Sequence, residues 1–384
     1  MLDVTKARRG KYTNIKRVYD CVQNGPYQAL ILMSPESIPY FSGFFNFDIR
    51  SLPERFHFVI WPKNGDPALV VIDRRKAALA PDDTFITDVR GYQGEGLDCV
   101  RAVGDVLRSN RITRGKIGIE ARHFPGSHLR ELQRQFPDLE FDDALPFVEH
   151  IRAVRTPAEI DLLTQFARST ADAIDAAFGA AKPGDTERKI AAHMCYELLK
   201  RGAEHVAFCF LGSAERSGRF HGVATDDPVP AGRILKVDFG GILDGYWSDL
   251  AREVVLGKAT PYLRDMHQKV SEINRRVVAA IRPGATASQV SRVGQAAYRE
   301  LGLDFKWSIL GHGIGTGTHE TPQLYPWIED PILEGMTMMI ETGYQDPPRD
   351  SFHVEDLIVV TGQGAKYVTD VSTHETLWEV GEDR

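Results

Sequence analysis

Residues 234–256 read ILKVDFGGILDGYWSDLAREVVL. Asp244-Gly245 separates two apolar runs, a strong signal for a two-residue hairpin turn. With those residues as the loop, Asp238 faces Ala251 and Gly240 faces Asp249. The strand period of two puts positions 238 and 240 on one face. Asp238 and Asp249 then become diagonal neighbours, about 7–8 Å apart at the backbone. A shift of one residue would send them to opposite faces. Two carboxylates so placed suit a pair of metal ions. They equally suit an exposed edge hairpin, and the stretch alone leaves both open.

Moving outward, residues 336–341 (MTMMIE) and 352–360 (FHVEDLIVV) predict a second strand pair, joined by the turn-forming stretch TGYQDPPRDS. Glu341 ends one apolar run and Glu355 interrupts the other. An ionised carboxylate there is costly unless it is paired or bound to metal, so each is a ligand candidate or half of a salt bridge. Between the hairpins, residues 311–322 read GHGIGTGTHETP. Glycine lets a backbone approach a ligand closely, and His312 and His319 are candidate functional groups. A phosphate loop is excluded, because Gly-Lys-Ser/Thr is missing. The zincin pattern HExxH is excluded too: Gln323 stands where the second histidine belongs, and Pro322 would break the helix. Asp238-Phe239-Gly240 spells the kinase magnesium motif, but no glycine-rich loop, VAIK strand or HRD loop precedes it.

Thr156-Pro157-Ala158-Glu159 is a capping box with proline at the first helical position. It predicts a long helix from 157 and a domain boundary around 150–156. Upstream, 27–33, 58–61, 68–72 and 116–119 read as buried strands, with helical patterns near 96–109 and 127–135. That alternation predicts a small α/β domain. Downstream, Lys182-Pro183-Gly184-Asp185-Thr186 is echoed by Arg282-Pro283-Gly284-Ala285-Thr286. Either the match is chance, or the half-domain is duplicated with a site between the halves.

The 384 residues suggest two domains, and the 42% hydrophobic and 26% charged fractions are those of an ordinary globular chain. A formal net charge of −7 argues against a general nucleic-acid binder. Cys21, Cys99, Cys195 and Cys209 form no CxxC pair, so a disulfide scaffold or thiolate zinc site is not expected and a reducing, cytoplasmic setting is. No apolar h-region follows the charged N-terminus, and no apolar run approaches the ~18 residues of a membrane span. Phe208, Phe210, Phe220 and Tyr246 are candidates for an apolar pocket, although such residues more often build core.

In order, Asp238, Asp249, His312, Glu341 and Glu355 resemble the five metal ligands of the creatinase/prolidase/methionine-aminopeptidase ("pita-bread") family. The matching text is VDFGG…GYWSDLAR, GHGIGTGTHETP, MMIETG and HVEDL, with IRAVRTPAEI at the linker and Phe220-His221-Gly222 upstream. The resemblance implies an α/β (α+β) fold. A creatinase-like N-terminal domain over 1–150 would precede a pita-bread catalytic domain over 151–384 with pseudo-twofold halves. It also implies a homodimer. The two-domain layout is similar to Xaa-Pro dipeptidases and Xaa-Pro aminopeptidases.

The resemblance further implies two divalent ions, Mn²⁺ first and Fe²⁺, Co²⁺ or Zn²⁺ as alternatives. Four carboxylates and one imidazole carry a charge of −4, which balances two such ions. Asp249 would be bidentate to one ion and His312 would bind the other, with Asp238 and Glu355 bridging. The ions would acidify the attacking water and polarise the scissile carbonyl. Glu341 would accept that water's proton and later protonate the leaving nitrogen. His221 and His319 would hydrogen-bond the substrate carbonyl. One departure bears on substrate. Many prolidases carry an arginine two residues before the last glutamate ligand, whereas His353 stands here and no arginine lies between His312 and Glu341. His353 is therefore a candidate substrate-binding residue or an orienting partner of a ligand. The alternatives are a same-fold enzyme cleaving a small polar metabolite (a creatinase-like C–N hydrolase, or an ectoine-type hydrolase or lyase), or a non-catalytic binding module.

Overall fold

Strands β1 (Ala29–Leu32), β2 (Phe58–Pro62), β3 (Ala68–Ile72), β4 (Asp88–Tyr92), β5 (Gly115–Ile119) and β6 (Leu139–Asp143) form one sheet in the order β4-β3-β2-β1-β5-β6. The structure is a computed structural model that describes residues 2–45, 48–52, 54–80, 82–94, 96–306, 309–346, 349–369 and 376–381. The four apolar runs expected to be strands are the sheet's four inner members. The edge strands β4 and β6 were missed because their side chains are mostly half-exposed and polar. Helices Asp98–Ser109 and Gly126–Gln135 lie within a residue or two of the expected spans. This sheet belongs to the first of two units, Met1–Arg152 and Ala153–Arg384.

In the second unit, β7 (His205–Ser213), β8 (Ile234–Leu243), β9 (Tyr246–Trp247), β10 (Leu250–Leu256), β11 (His312–Gly313), β12 (Glu320–Gln323), β13 (Thr337–Asp346) and β14 (Asp350–Thr361) build a second sheet. Its order is β12-β11-β13-β14-β10-β8-β7, with β15 (Gly364–Tyr367) beside β14, β16 (Trp378–Val380) beside β10, and β9 beside β8. The hairpin register is the expected one: Asp238 pairs with Ala251, Ile242 with Trp247 and Leu243 with Tyr246. Asp244 and Gly245 hold φ of 51° and 85°, the left-handed pair of a tight type I′ turn.

The second hairpin is longer than expected. The stretch taken as a loop continues the ladder to Asp346 opposite Asp350, through Gly343 opposite His353 and Tyr344 opposite Phe352. Cross-strand aromatic pairing outweighs the turn-forming composition there.

The echo is structural. Helices Pro157–Ala180 and Glu187–Lys200 match Pro261–Ala280 and Ala287–Glu300. Thr186 and Thr286 cap the second helix of each pair through their side chains, satisfying an otherwise orphaned amide. Each also bridges to a proline downstream, Pro228 in one half and Pro331 in the other. The repeated helices bury apolar stripes such as Val270, Ile273 and Val277, which join Ile340 and Ile358 in one core.

Candidate metal centre

Side chains two apart on a strand share a face, so the registers fix the floor of the site. One row across the sheet runs Phe210, Asp238, Ala251, Glu355, Glu341. The neighbouring row on β7, β8 and β10 runs Gly212, Lys236, Glu253. Asp249 lies one step along β10's approach, and β11 sets His312 opposite Met339 of β13. Two hairpins and a short strand thus deliver five ligand candidates to one patch.

Next to this patch β10 is clamped to β14. Arg252 donates to Asp356 Oδ1 at 2.6 Å and to the carbonyls of Ala251 and Glu355. Glu253 accepts the His353 amide at 2.6 Å and meets His267 Nδ1 at 2.7 Å.

The loops above the floor are held by buried ions. Arg155 pairs with Glu320 and donates to the Ile314 carbonyl at 3.0 Å. Glu320 accepts from the Gly317 amide at 2.8 Å. A Cβ at Gly315 would lie 2.3 Å from the Arg155 guanidinium. This glycine therefore makes room for the chain's own arginine, rather than for a ligand as its composition suggested.

On the other side, fully buried Glu187 receives the amides and hydroxyls of Ser213 and Thr225 and the Arg216 guanidinium, at 2.9–3.2 Å. This brackets the loop that carries His221, whose φ is +49°. The His221 ring stacks between Phe210 (4.5 Å) and Phe220 (3.8 Å). The His319 ring lies 4.1 Å from that of His312.

The donor set fits divalent cations. Three overlapping triads, Asp249–His312–His319, His312–Glu341–Glu355 and Asp238–Asp249–Glu355, each bring one ligand atom per residue within 4.8 Å of the others. Among the described residues, Asp238 Oδ1, Asp249 Oδ1 and His312 Nε2 are buried without a hydrogen-bond partner, although such atoms are normally satisfied. His312 Nε2 stands 3.6–3.9 Å from Asp249, Glu341 and Glu355 oxygens, too far for hydrogen bonds and near enough to share an ion. Its Nδ1 faces the Gly313 carbonyl at 3.0 Å, which leaves Nε2 as the ligand nitrogen.

Electrostatics agree. Burial, then neighbouring carboxylates, push Asp249 and Glu355 well above the usual carboxylate range. Burial also raises Asp238 and lowers His312. Such repulsion is relieved by bound cations. Burial lowers His353 to about 4, so it is neutral at physiological pH, and its Nε2 lies 3.5 Å from Glu341 Oε2.

Asp238, Asp249, His312, Glu341, Glu355, His221, His319 and His353 all line one cleft. Of the aromatic candidates, Phe210 and Phe220 line it. Tyr246 instead is buried and donates to Glu159 Oε1 at 2.9 Å, and Phe208 stacks between Phe210 and Trp247. Sequence reasoning missed Arg155, Glu187, Arg216 and Lys236. Glu187 carried a faint signal, an acidic residue just after a capping threonine. The other three show their place only through neighbours distant in sequence.

Comparison with known proteins follows the geometry. The profile of metallopeptidase family M24 matches residues 161–362, and that of the creatinase/prolidase N-terminal domain matches residues 15–154. The chain is 32% identical to an Xaa-Pro dipeptidase of Pyrococcus furiosus over 60% of its own length and 67% of the relative's. A dipeptidase PepE from Mycobacterium ulcerans superposes with a TM-score of 0.83 at 27% identity, covering 98% of this chain and 99% of that one. An X-Pro aminopeptidase from Thermotoga maritima gives 0.82 at 25% identity, covering 95% and 99%.

Proposed function

Since the chain belongs to metallopeptidase family M24 and is a metal-dependent hydrolase, we propose that it is a dinuclear Xaa-Pro peptidase of the dipeptidase or aminopeptidase type. One observation carries the reading: four carboxylates and His312 converge on one cleft, with buried acceptor atoms lacking any partner among the described residues. We assign Asp238, Asp249, His312, Glu341 and Glu355 as ligands of two divalent ions, Mn²⁺ first because oxygen-rich sites with one nitrogen suit it. Bound there, the ions would supply a nucleophilic water at neutral pH and polarise the scissile carbonyl.

The chain's own residues do the rest. Glu341 takes the proton of the attacking water and returns it to the leaving nitrogen. His221 and His319 donate to the carbonyl oxygen as it gains charge. His353, neutral and 3.5 Å from Glu341, orients that carboxylate. Residues 1–150 are assigned as the creatinase-like domain and 151–384 as the catalytic one. Dimer formation is part of the reading and is checked by light scattering on the purified protein. A cytoplasmic location is supported by four free cysteines. No helix among the described residues is long and apolar enough to cross a membrane.

The test is hydrolysis by the Mn²⁺-loaded protein of Xaa-Pro dipeptides beside cyclic amides and amidines. Xaa-Pro turnover that chelator abolishes and Mn²⁺ restores is the expected result. Turnover of a small amide or amidine with none of any Xaa-Pro peptide would replace this reading with a metabolite hydrolase.

A further inference from the structure

Lys236 is 8% exposed and lines the cleft two residues before Asp238 on β8, hence on the same face. It has no hydrogen bond or ion pair among the described residues. The nearest carboxylates are engaged elsewhere. Glu253, opposite it on β10, is held by His267 and the His353 amide, and Asp238 is assigned to metal.

The far wall is the turn Ala214–Gly218, which folds onto β7 beside Lys236. A Cβ at Gly212, Lys236's partner on β7, would meet the Arg216 carbonyl at 2.8 Å. Ser217 Oγ accepts the Ser351 amide at 2.8 Å and ties the turn to β14. Lys236 thus lines the cleft beside a wall of fixed backbone. Asp238 and Glu253 act on its charge, but neither hydrogen-bonds it, and a buried ammonium without a hydrogen-bonded counter-ion gains where a ligand brings the opposite charge. The other cations of the cleft differ. Arg216 is consumed by Glu187 and the Val223 carbonyl, and Arg219 is exposed at the mouth.

We propose that Lys236 is a specificity-determining residue that receives the free carboxylate of the substrate and so selects dipeptides. This rests on the peptidase reading above. Two residues along a strand span about 7 Å. That offset from Asp238 sets Lys236 apart from the ligand cluster yet in the same cleft, where its long, flexible side chain can reach a carboxylate that follows the scissile amide. An arginine fork would suit a free carboxylate; none stands at 353 or between His312 and Glu341, and Lys236 offers a cation from the opposite hairpin.

The test uses the full-length, Mn²⁺-loaded protein. kcat/KM is measured on Ala-Pro and Ala-Pro-NH₂, and binding of L-proline, L-prolinamide, L-leucine and L-leucinamide by calorimetry. Wild type should favour the carboxylate member of each pair by about tenfold or more, the scale of one charge-assisted hydrogen bond. Lys236→Met, unbranched and of similar length, should bring each ratio close to one, mainly through KM. Arg219→Ala should keep the ratios. Ratios near one in wild type, ratios that survive Lys236→Met, or ratios lost in Arg219→Ala instead would each overturn the assignment. If no Xaa-Pro peptide is turned over but the binding preference exists and disappears in Lys236→Met, the Xaa-Pro reading falls and the role of Lys236 stands.

Discussion

The two halves of the catalytic unit share a frame and differ in how they hold their loops. Thr186 and Thr286 cap equivalent helices. The next residue is Glu187 in the first half and Ala287 in the second, both fully buried. Glu187 gathers Ser213, Arg216 and Thr225 around the His221 loop. The second half instead shapes its histidine loop with Arg155 and Glu320, which come from outside its helix pair. A duplicated backbone therefore sets where loops begin, and single buried charges decide what each loop does.

The sharpest break is between the two halves' carboxylates. Glu341→Gln should keep the fold, read by circular dichroism, and lower kcat of the Mn²⁺-saturated protein by about 10²–10⁴-fold, the range for a lost general base. Wild-type kcat in that variant would remove Glu341 from the mechanism. Glu187→Ala should cost about 3 kcal/mol by stranding Arg216 and its neighbours, measured by urea unfolding, and should lower kcat/KM through the His221 loop. The mirror change, Ala287→Glu, buries a carboxylate with no equivalent bracket and should destabilise by a comparable amount. If Glu187→Ala is neutral, the first half needs no clamp and the contrast fails.

The acidity of the centre gives a third test. Raised pKa values mean that Asp249, Glu355 and Asp238 favour the protonated form in the metal-free fold. Their contribution is full below the unfolded values and is lost as pH rises through the folded ones. His312 and His353, lowered by burial, act the other way, but only below about pH 6.5, where the unfolded imidazole titrates. Scanning calorimetry of chelator-treated protein should show this carboxylate contribution being lost as pH rises above the ordinary carboxylate range, and Mn²⁺ should reverse the loss. The smallest effect concerns the shared frame: Thr186→Ala and Thr286→Ala should each cost about 1 kcal/mol, and unequal costs would show that the halves do not use their caps alike.

Much of this was legible before the structure. Asp244-Gly245 fixed a register that propagates, residue by residue, to Asp238 and Asp249. The capping box at Thr156 and the Pro-Gly echo marked the helix pairs, because caps and turns are local chemistry. What escaped was non-local. Nothing near Gly315 says that Arg155 will pack against it. Nothing near Lys236 says that its neighbours' charges are already taken. The edge strands β4 and β6 carry no apolar alternation, because solvent faces them.

The most direct measurement is an anomalous-scattering map of crystals grown with excess Mn²⁺. The account predicts two peaks about 3.5–4 Å apart among Asp238, Asp249, His312, Glu341 and Glu355. An empty cleft, or manganese bound by other side chains, would contradict it.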